Sequence, residues 1–449
     1  MAADLVISGG SVVTSRGQQR LDVAISGGRI DRIGPPGVLE ARRFVDAGGL
    51  VLLPGGVDSH VHLMDPGSTD REDFPSGTRA AACAGTTTVI EHSHGHPVRT
   101  VNDLEAKLDH LGGRSNVDFA LAAHAWPGDE SAKVRLWQAG IAFFKVFTCT
   151  THGVPGHDVA ALRRHLRTTA DIGAVSLIHC EDESLTASAE SLLRAADRHD
   201  PGLVLEWRDR DAEVVAAAVT ALLVRRTGAK ACIAHVSHAE VAEYLSAERA
   251  RGAGLFAETC PQYLLLRENE IHEHGPFRKF TPPARNRTAA DEAEQWQQLR
   301  DGRITHVSSD HAPSTADQKT SGDIWDVHFG LPGLDTTMPL LLDAAVRGRL
   351  AYEDVARLYA EVPARLYGLW PRKGGIAPGF DADIVFFDPS PTRTVRNEDV
   401  LSKAGWTPFE GRTVQGRVVR TLLRGEVVSE DGAPVDARSG EFISGAGRR

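Results

Sequence analysis

Eight short apolar runs alternate with helix-forming segments between residues 53 and 372, and this alternation constrains the fold more than any other feature. The predicted strands cover 57–60, 88–91, 119–124, 141–145, 174–179, 231–235, 255–258 and 304–308. The predicted helices cover 76–84, 102–111, 158–171, 211–227, 238–251 and 289–301. Such an alternation fits an α/β fold of the (β/α)8 TIM-barrel type. We therefore expect residues 53–372 to form a barrel whose strands end on one common face.

The two ends of the chain have a different pattern, with short β-branched runs and few helix-forming segments. Paired glycines at Gly9-Gly10 and Gly27-Gly28 separate the N-terminal runs, as expected for hairpin turns. The C-terminal strand-like runs at 382–387, 413–419 and 421–423 show the same pattern. We expect 1–52 and 373–437 to assemble into one small β-sandwich domain, and the Gly- and Arg-rich segment 438–449 to be a flexible tail.

The composition excludes several classes of protein. The 449 residues are 41% hydrophobic and carry a net charge of −10, which argues against disorder and against a general nucleic-acid binder. No run approaches the ~18 apolar residues of a membrane span, and the first residues do not resemble a secretory signal. The five cysteines are scattered singly, as in reduced cytoplasmic proteins. We therefore expect a cytoplasmic protein that binds neither nucleic acid nor membranes.

Histidines and an aspartate stand at the ends of four predicted strands. His60 and His62 are two positions apart, so the alternation of a strand points both imidazoles to the same side. His179, His235 and Asp310 end the fifth, sixth and eighth strands. Imidazole and carboxylate are ligands for Zn²⁺ or a similar divalent ion, and five ligands exceed what one tetrahedral site needs. They suit a two-metal site; the alternative is a set of hydrogen-bonded core histidines.

Lys145 ends the fourth strand and does not fit this ligand set as an ammonium group. A cation cannot ligate a dication, and burial of a lysine costs desolvation free energy. One interpretation is a lysine that reaches solvent or a salt-bridge partner. The other is carboxylation of the amine by CO₂, because a carbamate is an anion with one oxygen for each metal.

At this point the chain resembles the amidohydrolase superfamily, and within it the cyclic amidohydrolases: dihydroorotase, hydantoinase/dihydropyrimidinase and allantoinase. The resemblance covers nearly the whole chain, and together its motifs are highly specific. They are residues 54–62 (PGGVDSHVH), 144–147 (FKVF), 179–182 (HCED), 234–237 (AHVS), 258–264 (ETCPQYL), 281–285 (TPPAR), 309–313 (SDHAP) and 375–383 (GIAPGFDAD).

The resemblance implies a role for each ligand. His60, His62 and Asp310 would hold the more buried of two divalent ions, with Zn²⁺ as the expected metal. His179 and His235 would hold the more exposed ion, and Lys145, carboxylated on Nζ, would bridge the two. Asp310 would also be the catalytic residue, taking a proton from the attacking water and passing it to the leaving ring nitrogen. Members of the family are usually tetramers or dimers, so a homo-oligomer is expected.

Departures from each subfamily indicate which ring is opened. Met64 and His94 stand where dihydroorotases carry the Arg and Asn that clamp a substrate carboxylate, and Thr150 stands where hydantoinases carry a Tyr. A Thr there is closest to the allantoinase pattern. We therefore predict a hydantoin-like cyclic amide as the substrate, and the alternatives are a dihydroorotase-like or a cyclic-imide hydrolase. The candidate substrate contacts are Thr150, His94, His96, Thr281 and His311, the last being more typical of a support behind the ligands.

Two questions stay open at this level. The cluster His92, His94 and His96 matches no subfamily pattern, and it is either a polar loop at the barrel mouth or part of the substrate site. A non-enzymatic alternative is a dihydropyrimidinase-related scaffold protein. The presence of all six ligand positions favours the enzyme.

Overall fold

The structure is a computed structural model that describes residues 2–435 and 438–448. Its central part is a closed barrel of parallel strands, as predicted. The strands are Gly56–Val61, Thr86–Glu91, Asp118–Leu121 continued by Ala123–His124, Phe144–Phe147, Val175–His179, Lys230–Ile233, Gly254–Thr259 and His306–Val307. The His62 N–H donates to the His311 carbonyl at 2.8 Å and closes the ring between the first strand and the segment after the eighth.

Apolar side chains fill the lower half of the barrel interior. One buried cluster joins inward residues from different strands, including Val57, Ile90, Phe143, Leu177 and Cys232. Towards the strand ends the inward side chains become polar, with Lys145 two positions after Phe143 and His179 two positions after Leu177. The polar layer therefore lies directly above a packed apolar floor.

Helices surround the barrel, and their ends carry ordinary capping residues. Longer helices are Phe74–Ala84, Val101–Leu111, Glu130–Ala139, Val159–Ile172, Glu183–Ala195, Arg210–Thr227, Ala239–Ala250, Ala289–Arg300 and Thr337–Val346. Shorter ones are Leu203–Trp207, Pro261–Leu265, Glu270–His274, Gly275–Arg278, Ala316–Thr320, Tyr352–Ala356, Arg357–Glu361, Val362–Leu366 and Asn397–Asp399. Asp158 and Asp209 accept N-cap hydrogen bonds, and Gly173 and Gly228 end the same two helices with left-handed backbone.

Three of the longer helices were not among the predicted segments: Glu130–Ala139, Glu183–Ala195 and Thr337–Val346. The first buries only Lys133, Leu136 and Trp137, and the second buries only Thr186 and Leu193. An apolar stripe that narrow gives little helical periodicity in the sequence. None of the helices in the described residues is both long and apolar enough to cross a bilayer.

The two ends of the chain form the predicted β-sandwich. One sheet has the order Arg29–Gly34, Asp22–Ser26, Ala3–Ser8, Ala41–Asp46. The other has the order Ala433–Pro434, Glu426–Glu430, Thr413–Leu423, Ile384–Thr394, Val51–Pro54, Ser11–Thr14, Gly17–Arg20. A shared core of Ile7, Val23, Leu52, Ile384 and Leu422 lies between them. Strand Val51–Pro54 crosses the boundary expected at 52/53, because Leu53 and Pro54 pair with Val385 and Ile384 of this sheet.

The C-terminal segment differs from the expected flexible tail wherever the structure describes it. Ile443 is buried, and its N–H donates to the Phe119 carbonyl at 2.7 Å. The N–H of Gly445 donates to the Gly140 carbonyl at 2.8 Å. The glycines that suggest flexibility have another role here: a Cβ at Gly440, Gly445 or Gly447 would collide with a barrel backbone carbonyl. Their small size lets residues 438–448 lie directly against the barrel.

Candidate metal centre

The predicted ligands of the more buried ion lie together at the mouth of the barrel. Nε2 of His60 is 3.1 Å from Oδ1 of Asp310, and Nε2 of His62 is 3.5 Å from the same oxygen. Nζ of Lys145 is 3.1 Å from Nε2 of His60. Strands one, four and eight therefore bring these four side chains, which are far apart in sequence, into one buried group.

Hydrogen bonds on the far side of each ring fix the tautomers of His60 and His62. Nδ1 of His60 lies 2.7 Å from Oε1 of Glu258, and Nδ1 of His62 lies 2.7 Å from the His92 carbonyl oxygen. Both acceptors require an N–H on Nδ1, so both Nε2 atoms present lone pairs to the carboxylate of Asp310. Lone pairs that face a carboxylate repel unless a cation lies between them. The donor set therefore fits a metal ion.

His179 and His235 form a second pair of facing ring nitrogens. Nε2 of His179 donates to Glu181 at 2.7 Å, which leaves a lone pair on Nδ1, and this atom lies 2.9 Å from Nε2 of His235. Burial would raise the pKa of Glu181, but the Arg208 guanidinium and the hydrogen bond from His179 outweigh it and lower the pKa to about 2. An ionised Glu181 accepts from His179 and holds that tautomer.

Two of the predicted ligands, neither of them a glycine, have left-handed backbone conformations. His235 has φ of 37° and Asp310 has φ of 49°. Residues with a Cβ rarely adopt such angles, and they persist where the surrounding structure over-determines them. In both cases the turn follows directly after a barrel strand and directs the side chain back over the barrel axis. The left-handed conformation thus sets the position of both predicted ligands.

Lys145 occupies a position suited to chemistry on its amine. Its residue is 1% exposed, and burial lowers the pKa of its ammonium group to about 8, against the opposing effect of the Asp310 and Glu258 carboxylates. A lysine with a lowered pKa holds more of the neutral, nucleophilic amine at neutral pH than a surface lysine does. Among the described residues, no aspartate or glutamate oxygen lies within salt-bridge distance of Nζ.

Only some of the residues predicted to contact the substrate line the cleft above the candidate ligands. Its wall is formed by His94, Phe147, His152, Thr281, Phe329 and Gly330. Thr281 donates its hydroxyl hydrogen bond to Glu181 at 2.7 Å, which leaves its oxygen lone pairs free to accept from a bound molecule. His94 and Thr281 therefore line the cleft, as the sequence analysis expected.

Three predicted contacts lie elsewhere. Thr150 is exposed, outside the cleft lining, and its N–H donates to Glu183. His96 is exposed in a neighbouring pocket. His311 is fully buried: its Nδ1 accepts from the Gly333 N–H at 3.1 Å, and its Nε2 lies 3.2 Å from Glu72. With both ring nitrogens engaged, His311 supports the backbone behind Asp310 and does not face the cleft.

His152 takes the place in the cleft that the sequence assigned to Thr150. Its ring stacks on His94 with centroids 4.6 Å apart and planes 4° apart. A left-handed backbone, with φ of 54°, turns this ring inward. Nothing in the sequence marks a histidine for that conformation. Burial lowers the pKa of both His94 and His152 well below the usual value, so these rings are neutral at neutral pH.

Two further histidines end the second and third barrel strands, His92 and His124. They are 1% and 2% exposed, and neither ring has a hydrogen-bond partner among the described residues. Both follow or end a barrel strand, and the sequence analysis singled out only His92.

A model of the amidohydrolase family matches residues 51–428. The chain belongs to the amidohydrolase family. Two curated relatives align over almost their full lengths. An allantoinase of Rubrobacter xylanophilus is 36% identical over 98% of each chain. A dihydroorotase of Halobacterium salinarum is 36% identical over 94% of this chain and 96% of its own.

Solved structures agree with the fold of this amidohydrolase. L-hydantoinase (dihydropyrimidinase) from Arthrobacter aurescens superimposes with a TM-score of 0.94 at 30% identity, covering 98% of this chain and 100% of its own. Dihydropyrimidinase from Brevibacillus agri gives a TM-score of 0.91 at 28% identity, covering 98% of each chain. The predicted family, the predicted barrel with its terminal sandwich and the predicted class of enzyme, a hydrolase, are confirmed.

Proposed function

We propose that this amidohydrolase opens the ring C–N amide bond of a hydantoin-like cyclic amide, in the manner of an allantoinase or hydantoinase. The observation that carries the proposal is the geometry of the barrel mouth. Nε2 of His60 and Nε2 of His62 face Asp310, Nδ1 of His179 faces Nε2 of His235, and the Lys145 amine lies beside His60. The full-length similarity to an allantoinase and to a hydantoinase supports the same reaction.

The residues fit two divalent ions, with Zn²⁺ as the expected metal. His60, His62 and Asp310 would hold the more buried ion, His179 and His235 the more exposed one, and Lys145 carboxylated on Nζ would bridge them. Bound divalent ions lower the pKa of water from 15.7 towards about 7 and polarise carbonyl groups. A carbamate supplies the anionic bridge that the described lining residues lack.

Asp310 is proposed as the proton carrier. Its side chain is 13% exposed at the cleft, and its Oδ1 faces His60 and His62. The carboxylate would accept a proton from the attacking water and deliver it to the ring nitrogen as the C–N bond breaks.

The walls of the cleft are proposed to orient the ring. The lone pairs of Thr281 can accept a ring N–H, because its hydroxyl hydrogen is committed to Glu181. The neutral rings of His94 and His152 can donate to a carbonyl oxygen. Lys145 is the only Lys or Arg among the described lining residues, so a substrate carboxylate finds no free clamp. This chemistry favours an uncharged cyclic amide over dihydroorotate.

A panel of substrates tests the proposal. The Zn²⁺-loaded enzyme should hydrolyse allantoin or a simple hydantoin, and Asp310→Asn should reduce kcat by several orders of magnitude with metal content retained. Dihydrouracil, succinimide and dihydroorotate complete the panel. Efficient turnover of dihydroorotate alone would favour the dihydroorotase-like alternative, which the 36% identical dihydroorotase keeps open. No turnover of any of these compounds by the metal-loaded enzyme would contradict the proposal and leave the scaffold alternative.

We also propose that the enzyme is a homo-oligomer, a tetramer or dimer, in the cytoplasm. Its five cysteines carry no disulfide in the structure, in line with a reducing compartment. Light scattering coupled to size-exclusion chromatography measures the oligomeric state directly, and a monomer would contradict the proposal.

A further inference from the structure

His92 ends the second barrel strand next to the two histidines of the first. Its backbone N–H donates to the Val61 carbonyl at 3.0 Å, and its carbonyl accepts from Nδ1 of His62 at 2.7 Å. The hydrogen bonds that orient His62 therefore also hold the backbone of His92.

The ring of His92 lies beside those of His60 and His62. Its centroid lies 4.7 Å from that of His60 and 4.5 Å from that of His62. One nitrogen from each of these three rings lies within 4.8 Å of the other two. Imidazole nitrogens at tetrahedral positions on one Zn²⁺ are about 3.4 Å apart, for Zn–N bonds of about 2.1 Å. Binding of one ion by all three rings would therefore draw their nitrogens closer together.

His92 has unmet hydrogen-bonding capacity. The residue is 1% exposed, and neither Nδ1 nor Nε2 has a hydrogen-bond partner among the described residues. The other aromatic neighbours of its ring are Phe143, His124 and His94, with centroids 5.4, 6.1 and 6.3 Å away, and none of them makes a hydrogen bond with it. A buried polar group without a partner costs about 1–3 kcal/mol. A cation between His60, His62 and His92 would satisfy the free nitrogen.

We propose that His92 is an additional imidazole ligand of the more buried ion, beside His60, His62 and Asp310. The inference rests on the proposed two-metal centre and adds a ligand from the second strand. A third nitrogen donor moves the selectivity of this position towards Zn²⁺, Co²⁺ and Ni²⁺ and away from Mg²⁺ and Mn²⁺, which prefer oxygen ligands. The second strand thus contributes to the metal centre as the first and eighth do.

His124 provides a matched control. It ends the third strand, is 2% exposed, and its two ring nitrogens also have no partner among the described residues. Its aromatic neighbours are His92, His94 and Phe147, with centroids 5.4 to 6.1 Å away, and it contacts neither His60 nor His62. Substitution of His124 removes an equally buried imidazole without removing a proposed ligand.

The experiment titrates the metal-free protein with Co²⁺ against a competing chelator and records the visible spectrum. Wild type should bind two ions. His60→Asn should lose one of them, which confirms the proposed centre independently of His92. His92→Phe should weaken one ion by at least about 10-fold and change the Co²⁺ absorption bands. His124→Phe should leave both affinities and the spectrum unchanged, and His92→Gln, whose amide oxygen can still ligate, should bind with an intermediate affinity.

Thermal unfolding separates metal loss from misfolding. A Phe at 92 packs beside Phe143, so metal-free His92→Phe should melt at or above the temperature of the metal-free wild type, and only its stabilisation by Co²⁺ should shrink. If His92→Phe keeps the wild-type affinities and spectrum, the inference about His92 is overturned and the two-metal proposal stands. Three ions in wild type and two in His92→Phe would overturn it in favour of a separate site. A wild type without bound ions, indistinguishable from His60→Asn, would overturn the two-metal centre itself.

Discussion

Nδ1 of His60 lies 2.7 Å from Oε1 of Glu258, a fully buried carboxylate on the seventh barrel strand, 198 residues away in sequence. The pair fixes the tautomer of His60 and directs its Nε2 lone pair towards Asp310. Burial would raise the pKa of Glu258, but His60 and His306 outweigh it and hold the pKa well below the usual value. Such a carboxylate raises the basicity of the imidazole that it holds.

Glu258→Gln should therefore weaken metal binding. The amide can still accept a hydrogen bond from His60, but it lacks the negative charge that strengthens the ligand. We expect about 10- to 100-fold lower affinity for the more buried ion, which His60 would hold, measured by chelator competition. Exposed Glu294, changed to Gln, is the control and should bind metal as wild type does. Unchanged affinity in Glu258→Gln would show that charge at this position does not matter.

Lys145→Ala tests the carbamate bridge. The change removes the bridging anion and leaves two dications with less charge compensation, so at least one ion should be lost and activity should fall by several orders of magnitude. Acetate or propionate should restore part of the activity by occupying the vacated space, and should not rescue Asp310→Ala. Lys145→Arg should do no better, since a guanidinium forms no stable carbamate. Retention of both ions and of turnover in Lys145→Ala would exclude the bridge.

His152→Ala tests the wall of the cleft. This ring stacks on His94 and faces the ligands without being one of them. We expect two bound ions as in wild type, with kcat/KM for the best substrate lowered by about 10- to 100-fold, in the range of one lost hydrogen bond to the reacting molecule. Exposed His274→Ala should leave the kinetics unchanged. Equal kinetics in His152→Ala would remove it from the substrate contacts.

Glu213 predicts a pH dependence of stability. Burial raises the pKa of Glu213 from 4.5 to about 7, against the opposing effect of Arg285. The folded state therefore holds the proton more tightly than the unfolded state does. This contribution to stability is complete below pH 4.5 and is lost as the pH rises through about 7.

The measurement compares urea unfolding of wild type and Glu213→Gln from pH 4.5 to 8.5. Relative to the variant, wild type should lose on the order of 3 kcal/mol across this range. Parallel curves for the two proteins would contradict the raised pKa. Glu294→Gln again serves as the control, because its carboxylate is exposed in the structure.

Ile443→Ala tests the packing of the C-terminal segment. The side chain is 4% exposed and belongs to the apolar cluster inside the barrel's lower half. Its truncation should lower the unfolding free energy by about 2–3 kcal/mol. Val435→Ala, at a side chain that is 41% exposed, should change it by less than about 0.5 kcal/mol. A tail that is detached in solution would show no effect at either position.

The sequence by itself determined the barrel, the sandwich and the rim on which the candidate ligands lie, because these follow from local periodicity. A strand repeats every two residues, so His60 and His62 had to share a side, and parallel strands had to bring His179, His235 and Asp310 to one rim. Helix caps such as Asp158 and Gly173 are equally local signals.

Only the tertiary structure decided which neighbouring side chains reach the cleft and what holds the ligands. His152 replaces Thr150 because a left-handed backbone turns it inward, and no local preference of histidine predicts that. The pairing of His60 with Glu258 joins residues 198 apart in sequence, and the register of the closed barrel alone sets their distance. The C-terminal glycines lie against the barrel because a side chain would not fit there, and only the folded chain shows what lies next to them.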